Sequence, residues 1–420
     1  MKLRDYKNVH CIGIGGIGLS ALARYCHAEG AHVGGSDGGV SKITDDLQKE
    51  GIIVYVGHNQ AHLSGETDLV IYSIAVDQSN VELQAARKKE IKCLSYPEAL
   101  GLLTLEYTTI AVSGTHGKTT TTAMVASMLK NCSKNPTVIV GSLLKDGGTN
   151  FMQGDGEYLV VEACEYKRSF LNLHPKHILV TNIDKDHLDY YKDINDIQSA
   201  FQSFADMLPG SGSLITHADV SLITNATKVN ADIYTRDSIS LSVLGEHNKS
   251  NAQLALALSS VLGLDEADAR KGLELFTGTW RRLEYKGTHK GSVFYDDYGH
   301  HPTEIKATLQ ALRERYVSNK FKLIVVFQPH LYSRTKLLLD DFSESFSLAD
   351  TICILPIYAS REKNDESISS VDLVEKTHGA IYMETFEEVY KYLDKHAHSG
   401  SVVVTLGAGD VYRIHELFTN

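Results

Sequence analysis

Short apolar runs alternate with longer segments in which apolar residues recur every three to four positions. A short β-branched run bounded by turn residues marks a strand, and the longer spacing marks a helix. In the first hundred residues this pattern predicts strands at 9–13, 32–36, 52–56, 69–73 and 92–94, with helices at 17–29, 42–50, 81–89 and 97–103. The rhythm resumes with strands at 109–112, 138–140, 157–161, 177–181 and 213–216, and with helices from 123 and over 194–207. A third set has strands at 293–295, 323–327, 351–355 and 402–406, with helices between them. Strand and helix in alternation predict parallel, doubly wound sheets. Residues 141–156 are glycine-rich and carry no periodicity, so they are expected to form a surface loop, either a flexible connector or a substrate-facing segment. The polar stretch that ends at Arg236 yields no element.

At 420 residues the chain exceeds a single ordinary core. The expected fold is α/β in three domains: a Rossmann-like 1–105, a central P-loop ATPase-like 106–282 and a C-terminal Rossmann-like 283–420. A net charge of -11 argues against a duplex nucleic-acid partner, which requires a basic face. No apolar run reaches the roughly 18 residues that span a bilayer, and the charged residues 1–10 do not read as a signal peptide. The six cysteines show no CxxC spacing, which fits a reducing compartment and argues against zinc. A cytoplasmic protein is expected.

The strongest chemical signal lies in residues 112–122, where Gly114-Thr115-His116-Gly117-Lys118-Thr119-Thr120 joins an apolar strand to a helix. Glycines let the backbone approach an anion, and the helix start adds partial positive charge. Lys118 is placed to meet the β- and γ-phosphates of ATP, and the Thr119 hydroxyl to bind Mg²⁺. A strict Walker sequence has glycine where Val112 stands, so a tight turn with a solvated lysine is the alternative. The four threonines 119–122 start a helix poorly, which suggests another use for them.

A second glycine motif, Gly13-Ile-Gly15-Gly16-Ile-Gly18, follows the first strand, and Asp37 lies 19 residues beyond Gly18, where an acid meets a ribose. The motif admits any nucleoside diphosphate, a dinucleotide or a nucleotide-sugar alike, or a turn with no ligand. Gly34-Gly-Ser36-Asp-Gly38 mimics a nucleophile elbow, but Ser36 reads better as a turn or capping residue. Two further strands run into acids, one at Glu162 and Glu165, the other at Asp184, Asp186, His187 and Asp189. Ligands of open α/β sheets bind beyond the strand C-termini, so Ser113, Glu162 and Asp184 should converge and carboxylates there can hold Mg²⁺. Later clusters are Gly245-Glu-His247-Asn248-Lys-Ser-Asn251, Trp280-Arg281-Arg282, Asp296-Asp297-Tyr298-Gly-His300-His-Pro302 and Gln328-Pro-His330-Leu331-Tyr-Ser-Arg334. Gly407-Ala-Gly-Asp410 reads as a tight turn before a helix.

Taken in order, the Gly114–Thr119 loop, the first-domain glycines, Glu162-Ala-Cys-Glu165, residues 182–189, His247-Asn248 with Asn251, residues 297–302, Gln328-Pro-His330 and residues 407–410 resemble the Mur ligases over nearly the whole chain. The nearest branch is the one that adds the first amino acid of the peptidoglycan stem. The resemblance implies ATP and Mg²⁺ as cofactors, and UDP-N-acetylmuramate and L-alanine as substrates joined through an acyl phosphate. A sibling branch, joining a tripeptide to the same nucleotide-sugar, is the alternative. By the same likeness Gly13, Gly15, Gly16 and Gly18 hold the UDP pyrophosphate, with Asp37 and Ser73 near the nucleoside. Residues 114–120 hold ATP, Lys118 on the phosphates, and Thr119, Glu162 and His187 hold magnesium. His247, Asn248 and Asn251 lie on the adenine side, and Arg281 also belongs to the cofactor set. Tyr298, His300, His330 and Arg334 face the muramyl carboxylate and the amino acid. The catalytic set is Lys118, His187, His300 and Arg334, with the choice of proton relay open between His187 and His300.

This sequence also departs from the family pattern. Leu331 stands where many relatives carry arginine, implying a missing substrate-facing charge, and Cys164 with Tyr166-Lys-Arg replaces a more acidic run. A dehydrogenase would leave the lysine loop idle, and a non-catalytic nucleotide sensor would not need every motif. A monomer or a homodimer is expected, with no nucleic-acid or membrane partner.

Overall fold

A computed structural model describes residues 2–144, 148–187, 190–360, 362–363 and 366–418. Asp189 lies outside the described residues. The first sheet has the order β3-β2-β1-β4-β5, all parallel, from β1 (Asn8–Ile12), β2 (His32–Asp37), β3 (Ile53–Val56), β4 (Leu69–Tyr72) and β5 (Lys92–Ser95). The chain builds outward from β1 in one direction and then in the other, so the crevice at the switch point opens beside the end of β1. The glycine motif lies there and leads into helix α1 (Ile17–Ala28). Helices α2 (Lys42–Lys49), α3 (Val81–Lys88) and α4 (Tyr96–Thr104) complete the layers.

The second sheet repeats the plan. It comprises β6 (Thr108–Ser113), β7 (Thr137–Ile139), β8 (Phe151–Met152), β9 (Tyr158–Glu162), β10 (His177–Val180), β11 (Ser213–Thr216) and β12 (Thr227–Asn230), in the order β12-β11-β10-β6-β9-β7-β8. Only β8 is antiparallel to its neighbour. Its switch point is at β6, and helix α5 (Lys118–Asn131) starts just beyond it.

The third sheet is formed by β13 (Glu284–His289), β14 (Ser292–Asp297), β15 (Lys322–Phe327), β16 (Thr351–Ile354), β17 (Ala380–Tyr382) and β18 (Ser401–Leu406). Its order is β13-β14-β18-β15-β16-β17, with β13 antiparallel to β14. The α/β class with three mostly parallel sheets agrees with expectation.

The chain divides into two compact units, Met1–Ser240 with Ser250–Phe276, and Leu241–Lys249 with Thr277–Asn420, so the division runs through the helix Glu246–Val261. The first two sheets share one hydrophobic core, which contains Leu22 and Leu100 as well as Phe151 and Phe201. Among the described residues no helix is long and apolar enough to cross a membrane.

Three local expectations are corrected. Residues 141–156 are not wholly surface loop: they contain β8, and Asn150 beside it is fully buried. The stretch ending at Arg236 contains β12, whose residues are mostly exposed, so no apolar alternation announces it. Ser36 is neither a turn residue nor a cap but a fully buried strand residue within β2.

Candidate active site

The ends of β6, β9 and β10 come together around the lysine loop. Gly114 (φ 131°) and Gly117 (φ 83°) hold left-handed backbone that other residues resist, and Gly117 caps α5. The loop is stitched to the end of β10: Thr115 N–H donates to the Asn182 carbonyl at 3.0 Å and His116 N–H to Asn182 Oδ1 at 2.9 Å. Lys118 Nζ is largely buried and donates to the Gly114 and Thr115 carbonyls at 2.6 and 2.9 Å. It also pairs with Glu165, at 3.0 Å to Oε1 and 2.9 Å to Oε2. Burial works to lower the lysine pKa, but the surrounding negative charge, Glu165 first, outweighs it and holds the ammonium above its ordinary value.

The threonine run has a structural explanation. All four side chains are buried, Thr122 Oγ1 bonds back to the Lys118 carbonyl at 2.9 Å, and Thr119 Oγ1 donates to Glu162 Oε2, also at 2.9 Å. Gly141 N–H donates to the same carboxylate oxygen at 2.8 Å, and a Cβ on Gly141 would stand 2.7 Å from Glu162 Oε1. Thr119 and Glu162 thus present hard oxygen donors together, a set that suits Mg²⁺. His187 Nε2 is 3.8 Å from Glu165 Oε1, and its ring centroid is 4.8 Å from that of Tyr166. Asn251 lies against the loop, its Oδ1 2.8 Å from where a Gly117 Cβ would be.

The first glycine loop is tied down by its own sheet. Gly13 and Ile14 N–H groups both donate to the Ser36 carbonyl, at 2.7 and 3.0 Å, and Gly16 N–H to the Gly13 carbonyl at 3.1 Å. Asp37, expected near a ribose, accepts the Gly15 N–H at 2.8 Å. Ser73 lies beside the loop, its Cβ 3.0 Å from a Cβ position on Gly13. A side chain on Gly18 would strike Tyr96, 2.6 Å from its Cζ. Beneath β2, Ser36 Oγ donates to Glu82 Oε2 at 2.5 Å and meets His58 Nδ1 at 2.9 Å. Glu82 is fully buried and also receives the Asn59 N–H at 2.9 Å, with His10 at 3.1 Å and His62 at 2.7 Å. Burial would raise its pKa, but these donors prevail and hold the carboxyl at about 2.

In the second unit, the sequence-predicted residues Tyr298, His300, His330 and Arg334 form a continuous row. The Tyr298 and His300 ring centroids are 5.3 Å apart, those of His300 and His330 5.8 Å, and Arg334 Nη1 is 3.5 Å from His330 Nδ1. His300 N–H donates to Glu304 at 3.0 Å, and its Nδ1 is 3.0 Å from the Tyr298 carbonyl. Leu331, where many relatives are expected to carry arginine, is buried and has φ 71°. Asn248 Nδ2 donates to the Leu244 carbonyl at 2.6 Å, and burial pushes the neighbouring His247 down to about 4.

Arg281, expected in the cofactor set, lies buried within the second unit. It is only 2% exposed, and its guanidinium is consumed inside the unit by Asp296 at 2.8 Å and the carbonyls of Gly409 and Gly407 at 2.7 and 2.5 Å. Each of its three nitrogens donates one bond, and the buried fork holds the sheet end together. The sequence signal of paired arginines did not say which one turns inward. Glu165, Asn182 and Gly141 were also not on the expected site roster, although the Glu162/Glu165 pair at a strand end pointed toward the first of them.

Matches to three family models follow one another along the chain. The Mur ligase family, catalytic domain, covers residues 8–108, the Mur ligase middle domain 112–237, and the Mur ligase, glutamate ligase domain, 281–409. Among curated relatives, the UDP-N-acetylmuramate--L-alanine ligase of Agathobacter rectalis is 40% identical and that of Caldicellulosiruptor saccharolyticus 41%, each alignment covering 97% of this chain and 97% of the relative. Among solved structures, UDP-N-acetylmuramate-alanine ligase from Thermotoga maritima matches with a TM-score of 0.82 and 29% identity over 98% of both chains. A murein peptide ligase from Psychrobacter arcticus matches over 98% of both chains with a TM-score of 0.73 at 24% identity, a likeness of fold.

Proposed function

The chain belongs to the Mur ligase family, and from that premise we infer that it is an ATP-dependent, amide-forming ligase that joins L-alanine to the carboxylate of UDP-N-acetylmuramate. The single observation that carries the site reading is the lysine loop, where Lys118 and the Thr119/Glu162 pair stand together at the ends of β6 and β9.

In this reading Gly114–Thr120 receive the triphosphate of ATP. Lys118 leaves Glu165 for the β- and γ-phosphates, and Asn251, Asn248 and His247 serve the adenine side. Thr119, Glu162 and His187 would hold Mg²⁺, which when bound supplies charge neutralisation at the transferring phosphoryl group. The loop at Gly13, Gly15, Gly16 and Gly18, with Asp37 and Ser73, receives the nucleotide-sugar. A muramyl carboxylate oxygen bonds to the γ-phosphorus as the bond to ADP breaks, giving an acyl phosphate. The L-alanine nitrogen then bonds to the acyl carbon, phosphate leaves, and the nitrogen gives up a proton. We assign that proton to His300, with Tyr298, His330 and Arg334 facing the carboxylates. The protein's work is therefore positioning and electrostatics, with little covalent participation.

Domains 1–105, 106–282 and 283–420 would carry the nucleotide-sugar, ATP and amino-acid roles. We infer a cytoplasmic reaction, since its substrates in this reading are ATP and a UDP-sugar.

The test is phosphate release with ATP, UDP-N-acetylmuramate and a panel of acceptors. L-alanine is expected to give the fastest release. Release with a tripeptide and none with L-alanine would overturn this reading in favour of the sibling activity.

A further inference from the structure

Of the residues between β7 and β8, a stretch featureless in the sequence, Asn150 bonds to the head of α1 and Gly141 to Glu162, the partner of Thr119. Asn150 is fully buried just before β8, and its side chain is spent entirely on α1. Its Oδ1 accepts from Arg24 Nη1 at 2.6 Å, while its Nδ2 donates to Ser20 Oγ at 2.8 Å and to the carbonyl of Ile17. Ile17 is the first residue of α1 and lies within the glycine motif, between Gly16 and Gly18. Arg24 is itself fixed by Glu50, through Nε at 2.7 Å and Nη2 at 2.9 Å. An apolar contact runs alongside, with Tyr25 edge-on to Phe151 at a centroid distance of 6.3 Å.

The opposite limb reaches the other site. Val140 N–H donates to the Asn150 carbonyl at 3.1 Å, and the next residue, Gly141, gives its N–H to Glu162 at 2.8 Å. Glu162 in turn holds Thr119 at 2.9 Å. Backbone and side chain of one buried asparagine therefore join the head of α1 to the carboxylate beside the lysine loop. A buried amide is costly unless its donors and acceptor are used, and here all of them are used on α1.

We propose that Asn150 is a positioning residue for phosphoryl transfer, locking the hairpin limb that carries Gly141 to the head of α1 and so fixing Glu162 relative to the nucleotide-sugar loop. The proposal rests on the assignment of the two loops given above. The acceptor carboxylate and the γ-phosphate arrive from different loops and react only when their atoms are brought to near contact, so a small shift between the loops acts on turnover and not on either binding step.

Asn150→Ala is expected to lower kcat about 10- to 100-fold while KM for ATP and for UDP-N-acetylmuramate each change less than about 3-fold. Arg24→Lys keeps the positive charge opposite Glu50 but cannot fork to Asn150, so a smaller kcat loss of the same kind is expected. Calorimetric titration of each variant with UDP-N-acetylmuramate alone, and with ADP and Mg²⁺, supplies a readout independent of turnover. It should give affinities close to wild type. If Asn150→Ala does not fold, Arg24→Lys carries the test. Wild-type kcat in the folded variants would overturn the proposal, as would KM values or affinities that deteriorate as much as kcat. Failure of the wild-type protein to bind UDP-N-acetylmuramate would overturn the assignment of the first loop instead.

Discussion

The two glycine loops of the first unit share one plan, a strand, a glycine turn and a helix, yet they are filled in opposite ways. In the first loop the backbone donors are largely consumed by the protein: Gly13 and Ile14 by the Ser36 carbonyl, Gly15 by Asp37, Gly16 by Gly13. The loop contains no lysine or arginine. In the second loop a largely buried lysine is held against Glu165 and two carbonyls. The first is a preformed shape, so in the function proposed above its affinity would come from fit and from the head of α1. The second is a charged group with a resident counter-ion, which in the same proposal the phosphates of ATP would displace. A glycine motif alone reports only close backbone approach, and what fills the loop decides whether it grips or reacts.

The widest break in that comparison is Lys118→Ala. It should lower ligation about 10³-fold or more, as loss of the cation on a transferring phosphoryl group does, while leaving UDP-N-acetylmuramate binding intact. It also strands the Glu165 carboxylate, only 2% exposed, without its partner, so a stability loss of about 3–5 kcal/mol is expected. Phosphate release, calorimetric binding of the nucleotide-sugar and a thermal melt separate the three effects, and near-normal release would remove the lysine loop from the chemistry. Glu162→Gln should follow at roughly 10²-fold or more in kcat, with a raised Mg²⁺ requirement. A magnesium titration of activity checks this, and an unchanged half-saturation would deny Glu162 a metal role.

The sequence was readable where elements are buried and opaque where they are not. All four strands with no sequence signal, β8, β12, β13 and β17, are the outer strands of the second and third sheets. An edge strand is short and wet on one or both faces, so β12 and β13 have no apolar alternation to show. In the site, Lys118, Thr119 and Glu162 were legible because motif and strand end coincide. The partners of those groups were harder to see. Glu165 as the resting counter-ion, Gly141 on the Glu162 carboxylate and Asn182 under the loop depend on which strand lies beside which. Arg281 and Arg282 are adjacent and identical in type, and only the packing of Asp296, Gly407 and Gly409 around one of them tells them apart.

Gly15→Val sharpens the contrast from the other side. A Cβ there would stand 2.9 Å from Asp37 Oδ2 and 3.0 Å from Thr44 Cγ2, so the first loop itself must shift. Overpacking of this kind costs about 1–3 kcal/mol, and KM for UDP-N-acetylmuramate should rise about 10-fold with a much smaller change for ATP. Equal rises for both substrates would mean that the two loops do not serve separate ligands.

The smallest effect on activity, and the most specific on stability, is expected from Glu82→Gln beneath the first loop. The loop rests on the Ser36 carbonyl and not on Ser36 Oγ, so KM for the nucleotide-sugar should change only a few-fold at neutral pH. Stability should respond more. The folded protein holds this carboxyl at about 2, below its ordinary 4.5, so the stabilisation is fully present above pH 4.5 and is lost as pH falls toward 2. Its size is roughly 3 kcal/mol. Melting curves from pH 7 to pH 3 should therefore show wild type well above Glu82→Gln at neutral pH, with the two converging as the medium becomes acid. Parallel curves would mean that the carboxylate under Ser36 is not the titrating support of the first loop, and that its rigidity comes from the backbone bonds of Ser36 and Asp37 alone.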